Sequence, residues 1–212
     1  MKELDNITIV SVAGVRGKQS LKAIEYSTEK LKFKHKKLLT PENLNSSNVE
    51  IIKINPISYE EYNKFIVYDL YKYIDTDYAL IIQDDGFVTN PDCWSDDFLN
   101  YDYIGAPWIL PLDDFSYRDA FGNIVRVGNG GFSLRSKKLL SVADELNIPW
   151  KSYYGFYNED GFIACHNRHI YEHEGCKFAP LEVAVNFSKE LEIPENVGIK
   201  TFGVHGIKNA FG

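Results

Sequence analysis

The feature that most constrains this chain is Tyr78-Ala79-Leu80-Ile81-Ile82, a continuous apolar run that stops abruptly at Gln83-Asp84-Asp85-Gly86. A strand that is apolar on alternate and intervening positions alike must be covered on both faces, so it belongs inside a mostly parallel sheet. Parallel neighbours need crossover helices, and the surrounding sequence supplies them. Ile7 to Val12 is β-branched and apolar, Gly14 and Gly17 punctuate it, and Leu21, Ile24, Thr28 and Leu31 then recur near helical spacing. Val49 to Ile54 is a second apolar run, followed by Ser58 with Glu61 three residues on, a capping box that opens a helix to about Tyr73. Its core stripe is Tyr62, Ile66, Leu70 and Tyr73. The segment Lys30, Lys32, Lys34, Lys36 and Lys37 alternates with Leu31, Phe33 and His35, the period of a lysine-protected edge strand.

Beyond Gly86 the pattern loosens into aromatic and Gly/Pro-rich pieces, Tyr101 to Trp108 and Gly128 to Arg135, of the kind that builds pockets. Helices are expected from about Ser136 to Leu146 and from about Asn158 to His173, with Gly175 as a C-cap. The fold class is therefore α/β: one domain over residues 1–212, a mostly parallel central sheet with helices on both faces. The chain stops at Phe202 to Gly212 without a closing helix or charged tail, as the first domain of a longer polypeptide would.

Composition narrows the function. With 44% hydrophobic and 14% aromatic residues the chain can bury a core, which excludes disorder. A formal net charge of -7 argues against general nucleic-acid binding, which draws on clustered Lys and Arg. No apolar run approaches the roughly 20 residues of a membrane helix, and the first residues lack a signal peptide's apolar stretch. Three cysteines, Cys93, Cys165 and Cys176, are too few and odd in number for a disulfide framework. Together these predict a cytoplasmic protein.

Ligands of open α/β sheets bind just beyond the carboxyl ends of the strands, where Asp84 and Asp85 lie. Two adjacent carboxylates repel each other, and a divalent cation shared with phosphate oxygens keeps both ionised. An ordinary turn, with Gly86 supplying positive φ, accounts for the same residues. A P-loop does not: Gly14-Val15-Arg16-Gly17-Lys18-Gln19 has two residues between its glycines and Gln in place of Ser or Thr. The dinucleotide fingerprint is missing after the first strand as well. A zinc reading attaches to Cys165, His166, His169, His173 and Cys176, where three histidines share a helix face, yet the spacing matches no standard zinc set.

Four segments in chain order resemble the nucleotide-sugar glycosyltransferases of the GT-A fold. Leu80-Ile81-Ile82-Gln83-Asp84-Asp85-Gly86-Phe87 is similar to their Asp-x-Asp strand end, with Gln83 replacing the first Asp and Asp85 in the usual metal-binding position. Val127 to Arg135 resembles the glycine loop before the acceptor region, and Asn158-Glu159-Asp160-Gly161 the acidic pair that opens a helix beneath the sugar. Phe202-Gly203-Val204-His205-Gly206 resembles the late histidine segment that completes the metal site. The resemblance spans roughly residues 7 to 208 and is closest to a little-described family of bacterial and large-virus sugar transferases.

The resemblance implies transfer of a hexose from a nucleotide-diphosphate sugar, UDP favoured, to a hydroxyl of a glycan or similar acceptor. It implies Mn²⁺ or Mg²⁺ as cofactor, held by Asp85 and His205; whether Asp84 or Asp85 is the inner ligand stays open. The cation stabilises the charge that develops on the leaving diphosphate. Ser11, Val12, Ala13 and Gly14 would floor the nucleotide site, Asp84 would touch the ribose or ligate through water, and Arg16 and Lys64 would meet the diphosphate. Asn129 and Gly130 would let the ligand approach the backbone, although Asn-Gly is also the commonest hairpin turn. Glu159 or Asp160, at a helix start, would accept the acceptor proton or hold sugar hydroxyls; helix capping alone explains the pair equally. Trp108, Tyr153, Tyr154 and Tyr157 would stack on sugar rings. The alternatives are a non-catalytic nucleotide- or sugar-binding module and a nucleotide-sugar hydrolase.

Overall fold

In a computed structural model of the chain, residues 2–151 and 158–212 are described. The central sheet has six strands in the order β3-β2-β1-β4-β7-β6. These are β1 (Lys2–Val12), β2 (Leu31–Thr40), β3 (Glu50–Lys53), β4 (Tyr78–Ile82), β6 (Tyr103–Gly105) and β7 (Phe132–Ser136). β3, β2, β1 and β4 run parallel, while β7 is antiparallel to both β4 and β6. A mostly parallel sheet is thus observed. The apolar run of β4 lies third from one edge, between β1 and β7, as its two-sided hydrophobicity requires.

Strand alternation decides which helix covers which face. Ile7, Ile9, Leu80, Ile82 and Leu134 point into one core with Ala23 and Ile24 of α1 (Gly17–Ser27) and Ala184 and Phe187 of α6 (Leu181–Phe187). Val10, Val12, Ala79 and Ile81 point the other way, into a core with Ile66 of α2 (Tyr59–Tyr68) and Leu140 of α3 (Lys137–Glu145). Helices therefore flank both faces. The Ser58 capping box forms, its hydroxyl accepting from the Glu61 amide while the Glu61 carboxylate accepts from that of Ser58.

Two expectations are corrected. The lysine-rich segment is not an outer strand: β2 is sandwiched between β1 and β3. β3 covers only Lys37–Thr40, so the outer side is open along Lys32, Lys34 and Lys36 alone, and lysine protection applies to half the strand. The helix expected from Asn158 is also not uniform. It starts as α4 (Glu159–Gly161), widens into a π turn (Phe162–His166) and resumes as α5 (Arg168–His173), ending at Gly175 with φ +75°. Such π turns concentrate at functional sites.

A second sheet of three short strands positions the far end of the chain. In it β9 (Gly203–Val204) pairs antiparallel with β5 (Phe87–Val88) and parallel with β8 (Ser188–Lys189). Beneath it Phe202 packs on Trp94, Phe187 and Phe132, with ring centroids 5.1 to 5.9 Å apart. Among the described residues no helix is long and apolar enough to cross a membrane, and the three cysteines are free.

Candidate active site

β4 delivers Gln83, Asp84 and Asp85 to the carboxyl edge of the sheet, and β5 starts directly after them. Because β5 pairs with β9, the residue after β9, His205, comes to rest against this turn. The Ile207 amide donates to the Asp85 carbonyl at 3.0 Å and the His205 amide to the Lys189 carbonyl at 3.0 Å, fixing the approach.

Asp84 and Asp85 then part company. Asp84 Oδ2 is 2.8 Å from Arg16 Nε, and Arg16 reaches it from a left-handed backbone (φ 60°) at the N-cap of α1. A non-glycine residue there stores strain of about 1 kcal/mol or more, of the kind found at functional sites. Burial pushes the Asp84 carboxyl up, opposed by Arg16 and reinforced by Asp85. Asp85 goes the other way, because His205 beside it holds the carboxyl below its ordinary value. Asp85 Oδ1 lies 3.4 Å from His205 Nε2, and this buried oxygen accepts no hydrogen bond. His205 Nε2 also faces Gln83 Oε1 at 3.2 Å, and Nδ1 faces Glu190 Oε1 at 3.3 Å. Burial disfavours the charged ring, but Asp85 and Glu190 outweigh it and raise its pKa to about 9.

These donors suit a hard divalent cation. Once the ring gives up its Nε2 proton, a carboxylate oxygen, a ring nitrogen and an amide oxygen converge on one point, so a cation here competes with that proton, and Mg²⁺-like ions are commonly held by one or two protein groups together with substrate phosphates. Among the described residues no three His, Cys, Asp or Glu side chains form a metal cluster, so the protein alone offers an incomplete shell here. The helix histidines do not gather either. His169 packs edge-on against Phe121 at 5.5 Å, and burial holds the Cys165 thiol up at about 12.

Two cavities adjoin this point. One, of about 480 Å³, is lined by Val12, Ala13, Gly14, Tyr59, Tyr62 and Asp84 at the ends of β1 and β4. Ser11 is buried outside that lining, its hydroxyl without a partner. Lys64 pairs with Glu60 at 2.6 Å on the surface of α2 and lines neither cavity. The other cavity, of about 410 Å³, is lined by Trp108, Tyr117, Asn129, Asp160, His166 and Glu190, among others. The Tyr117 and Trp108 rings stack at 4.8 Å. Tyr153, Tyr154 and Tyr157 lie outside the described residues. Burial lowers His166 to about 4, so that ring is neutral near pH 7.

The glycine loop runs between the two regions. Gln83 to Gly86 form a turn, the Gly86 amide donating to the Gln83 carbonyl at 3.2 Å, but neither Gly86, Gly130 nor Gly131 has positive φ, so this turn does not use glycine's left-handed freedom and no Asn-Gly hairpin turn is formed. Glycine is needed instead for proximity. A Cβ on Gly131 would sit 2.0 Å from His205 Nε2, and one on Gly130 1.9 Å from Glu159 Oε1. Asp160 and Glu159, neighbours in sequence, have different surroundings. Glu159 is buried and bidentate to Arg135, at 2.5 and 2.9 Å. Asp160 faces the cavity, accepting from the Gly130 amide at 3.2 Å and the Gly161 amide at 2.7 Å. Burial and the Glu159 charge raise its carboxyl to about 7.

Sequence reasoning missed Gln83 as a donor, Glu190 as the partner of His205, and Arg135 as that of Glu159. Gln83 and Arg135 carried a local signal, their places in the strand-end and glycine-loop motifs, and Glu190 carried none.

A search of curated proteins gives no significant match. Among solved structures, the galactosyltransferase LgtC in complex with donor and acceptor sugar analogues superposes with a TM-score of 0.56 at 16% identity, over 93% of this chain and 86% of that one. An active-site variant of LgtC gives a TM-score of 0.54 at 17% identity, with the same coverage. At these identities the likeness establishes the fold, which is GT-A-like. The model of one protein family, DUF5672, described as a protein of unknown function, matches residues 47–205, and the chain belongs to that family.

Proposed function

We propose that this chain is a cytoplasmic glycosyltransferase that moves a hexose from a nucleotide-diphosphate sugar, UDP favoured, to a hydroxyl of a glycan or similar acceptor, with Mn²⁺ or Mg²⁺. The observation that carries the reading is the unsatisfied Asp85 oxygen opposite His205 Nε2, lying where a strand end meets two cavities. The similar galactosyltransferase was crystallised with donor and acceptor analogues, which supports two adjoining substrate sites.

In this reading Asp85 and His205 hold the cation, with the Gln83 amide oxygen as a further donor. Bound there, the ion supplies Lewis-acid stabilisation of the charge developing on the diphosphate. Val12, Ala13 and Gly14 present backbone to the base and ribose in the larger cavity, with Ser11 packed below them. Asp84, steadied by Arg16, borders the same cavity and is the ribose contact. Arg16 thereby acts through Asp84, and Lys64, tied to Glu60, is left as a peripheral cation. Asn129 and Gly130 border the acceptor side. Asp160 meets the acceptor there, and a carboxylate with a pKa near the working pH is well matched to taking a hydroxyl proton. Glu159 works on Asp160 from behind rather than on substrate.

The test is a thermal-shift and calorimetry screen against UDP, GDP and CDP, each with and without Mn²⁺, followed by measurement of nucleotide release from the matching sugar nucleotide. Metal-dependent stabilisation by one nucleotide is expected; a ligand at 100 times its Kd adds about 2.7 kcal/mol. Nucleotide release should then depend on an acceptor. No response to any nucleotide overturns the reading. Saturable binding without turnover indicates a binding module, and sugar release to water regardless of acceptor indicates a hydrolase.

A further inference from the structure

Five residues close a hydrogen-bonded ring behind the acceptor-side cavity. Arg135 Nε donates to Ser133 Oγ at 3.0 Å, and Ser133 Oγ donates to the Gly130 carbonyl at 2.9 Å. The Gly130 amide donates to Asp160 Oδ2 at 3.2 Å. Asp160 is bonded in the chain to Glu159, whose carboxylate returns to the Arg135 guanidinium. The guanidinium is fully buried, lies 4.7 Å from the centre of the Tyr103 ring, and is 3.4 Å from the Tyr103 hydroxyl. That hydroxyl donates to the Gly128 carbonyl at 2.6 Å, a second tether from the same cluster to the glycine loop.

We propose that Arg135 is the positioning residue of this site: through Ser133 on one side and Glu159 on the other, it fixes the Gly130 amide against the Asp160 carboxylate. The inference rests on the reading of Asp160 given above. A buried ion pair is weak as a stabilising device, since desolvation offsets its attraction and apolar residues of similar volume commonly serve as well. What the pair adds here is geometry. It ties a loop that follows β6 to a helix start at two points, and the loop passes so close to Glu159 that only glycine fits at position 130. Arg135 itself touches no cavity described above. Its effect on chemistry is indirect, through the orientation of Asp160, and displacement of a reacting group by about 1 Å can cost on the order of 100-fold in rate.

The decisive probe is the Gly130 amide resonance, followed by NMR from pH 5 to pH 9 in the intact chain. In the wild type both Gly130 and Gly161 should titrate with Asp160, because both amides donate to it. Asp160→Asn should abolish both titrations. In the folded double variant Arg135→Met/Glu159→Met, Gly161 should still titrate while the Gly130 amplitude falls at least threefold. A wild-type Gly130 titration in that variant overturns the proposal. Should the double variant not fold, Ser133→Ala, which leaves the ion pair intact, takes its place; an unchanged Gly130 titration there overturns the proposal equally. Turnover of UDP-glucose or UDP-galactose with Mn²⁺ gives the second readout: kcat lowered at least tenfold with donor KM within threefold, and no further loss when combined with Asp160→Asn. Additive losses would mean a general structural role. Wild-type turnover in Asp160→Asn contradicts the reading of Asp160 itself, and is distinguished from failure of the positioning role because the Gly130 amide decides that independently.

Discussion

Asp85 Oδ1 and His205 Nε2 face each other across 3.4 Å, and the oxygen is buried without accepting a hydrogen bond. The two residues flank a small sheet, Asp85 just before β5 and His205 just after β9, and the pairing of those strands brings them together. Gln83 Oε1 points at the same nitrogen.

Asp85→Ala and His205→Ala should each weaken Mn²⁺-dependent nucleotide binding by at least about 10-fold, the lower end of losses on removing even outer-shell groups. His169→Ala, whose ring lies against Phe121, should leave it unchanged. Calorimetry with and without Mn²⁺ reads all three; equal losses would instead favour a zinc site on the helix.

Gly131→Ala tests the same point by steric means. Its new methyl overlaps the His205 ring, so the imidazole has to move off Asp85. Nucleotide affinity measured with Mn²⁺ should fall toward the metal-free value, while affinity without Mn²⁺ stays put. An unchanged metal dependence would detach His205 from the cation.

Asp160 couples stability to pH. Its carboxyl is raised from 3.8 to about 7 in the fold, so the folded chain keeps a proton that the unfolded chain has lost. That contribution is full below about pH 4 and is lost as pH rises through 7. Asp160→Asn never ionises, so its stability advantage over wild type should widen from pH 4 to pH 8, to a ceiling of about 4 kcal/mol at ~1.4 kcal/mol per pH unit. Denaturant melts at four pH values check this, and parallel curves would place Asp160 at an ordinary pKa. Over the same range wild-type kcat/KM should rise to a plateau above pH 7, as for a base that works ionised.

Phe202→Ala removes the ring at the centre of the Trp94, Phe132 and Phe187 cluster. A loss of about 3 to 5 kcal/mol is expected from urea denaturation, the usual range for a buried phenylalanine. Because Phe202 immediately precedes β9 and its ring seats that strand on the core, metal-dependent binding through His205 should fall with it. Intact binding in a destabilised variant would uncouple the small sheet from the site.

Much of the architecture was readable locally. Tyr78 to Ile82 specified a buried parallel strand because nothing polar interrupts it, and Ser58 with Glu61 specified a helix start because both halves of the cap lie within one turn. Gly175 ended its helix for an equally local reason, its positive φ. The lysine alternation gave the strand but not its place, since a period of two reports which side faces inward and says nothing about which neighbour pairs. The π turn at Phe162–His166 left no mark in helical spacing that a short segment could reveal.

The sequence by itself determined the α/β class, the strand-end carboxylates and the order of the four motifs, because each depends on residues within a few positions of one another. Tertiary structure alone decided the division of labour. It turned Asp84 toward Arg16 and Asp85 toward His205, and it sent Glu159 inward to Arg135 while leaving Asp160 at the cavity. In each pair the two residues are adjacent carboxylates with nearly the same intrinsic chemistry. Their surroundings are set by burial and by partners brought from distant parts of the chain, which no local pattern encodes.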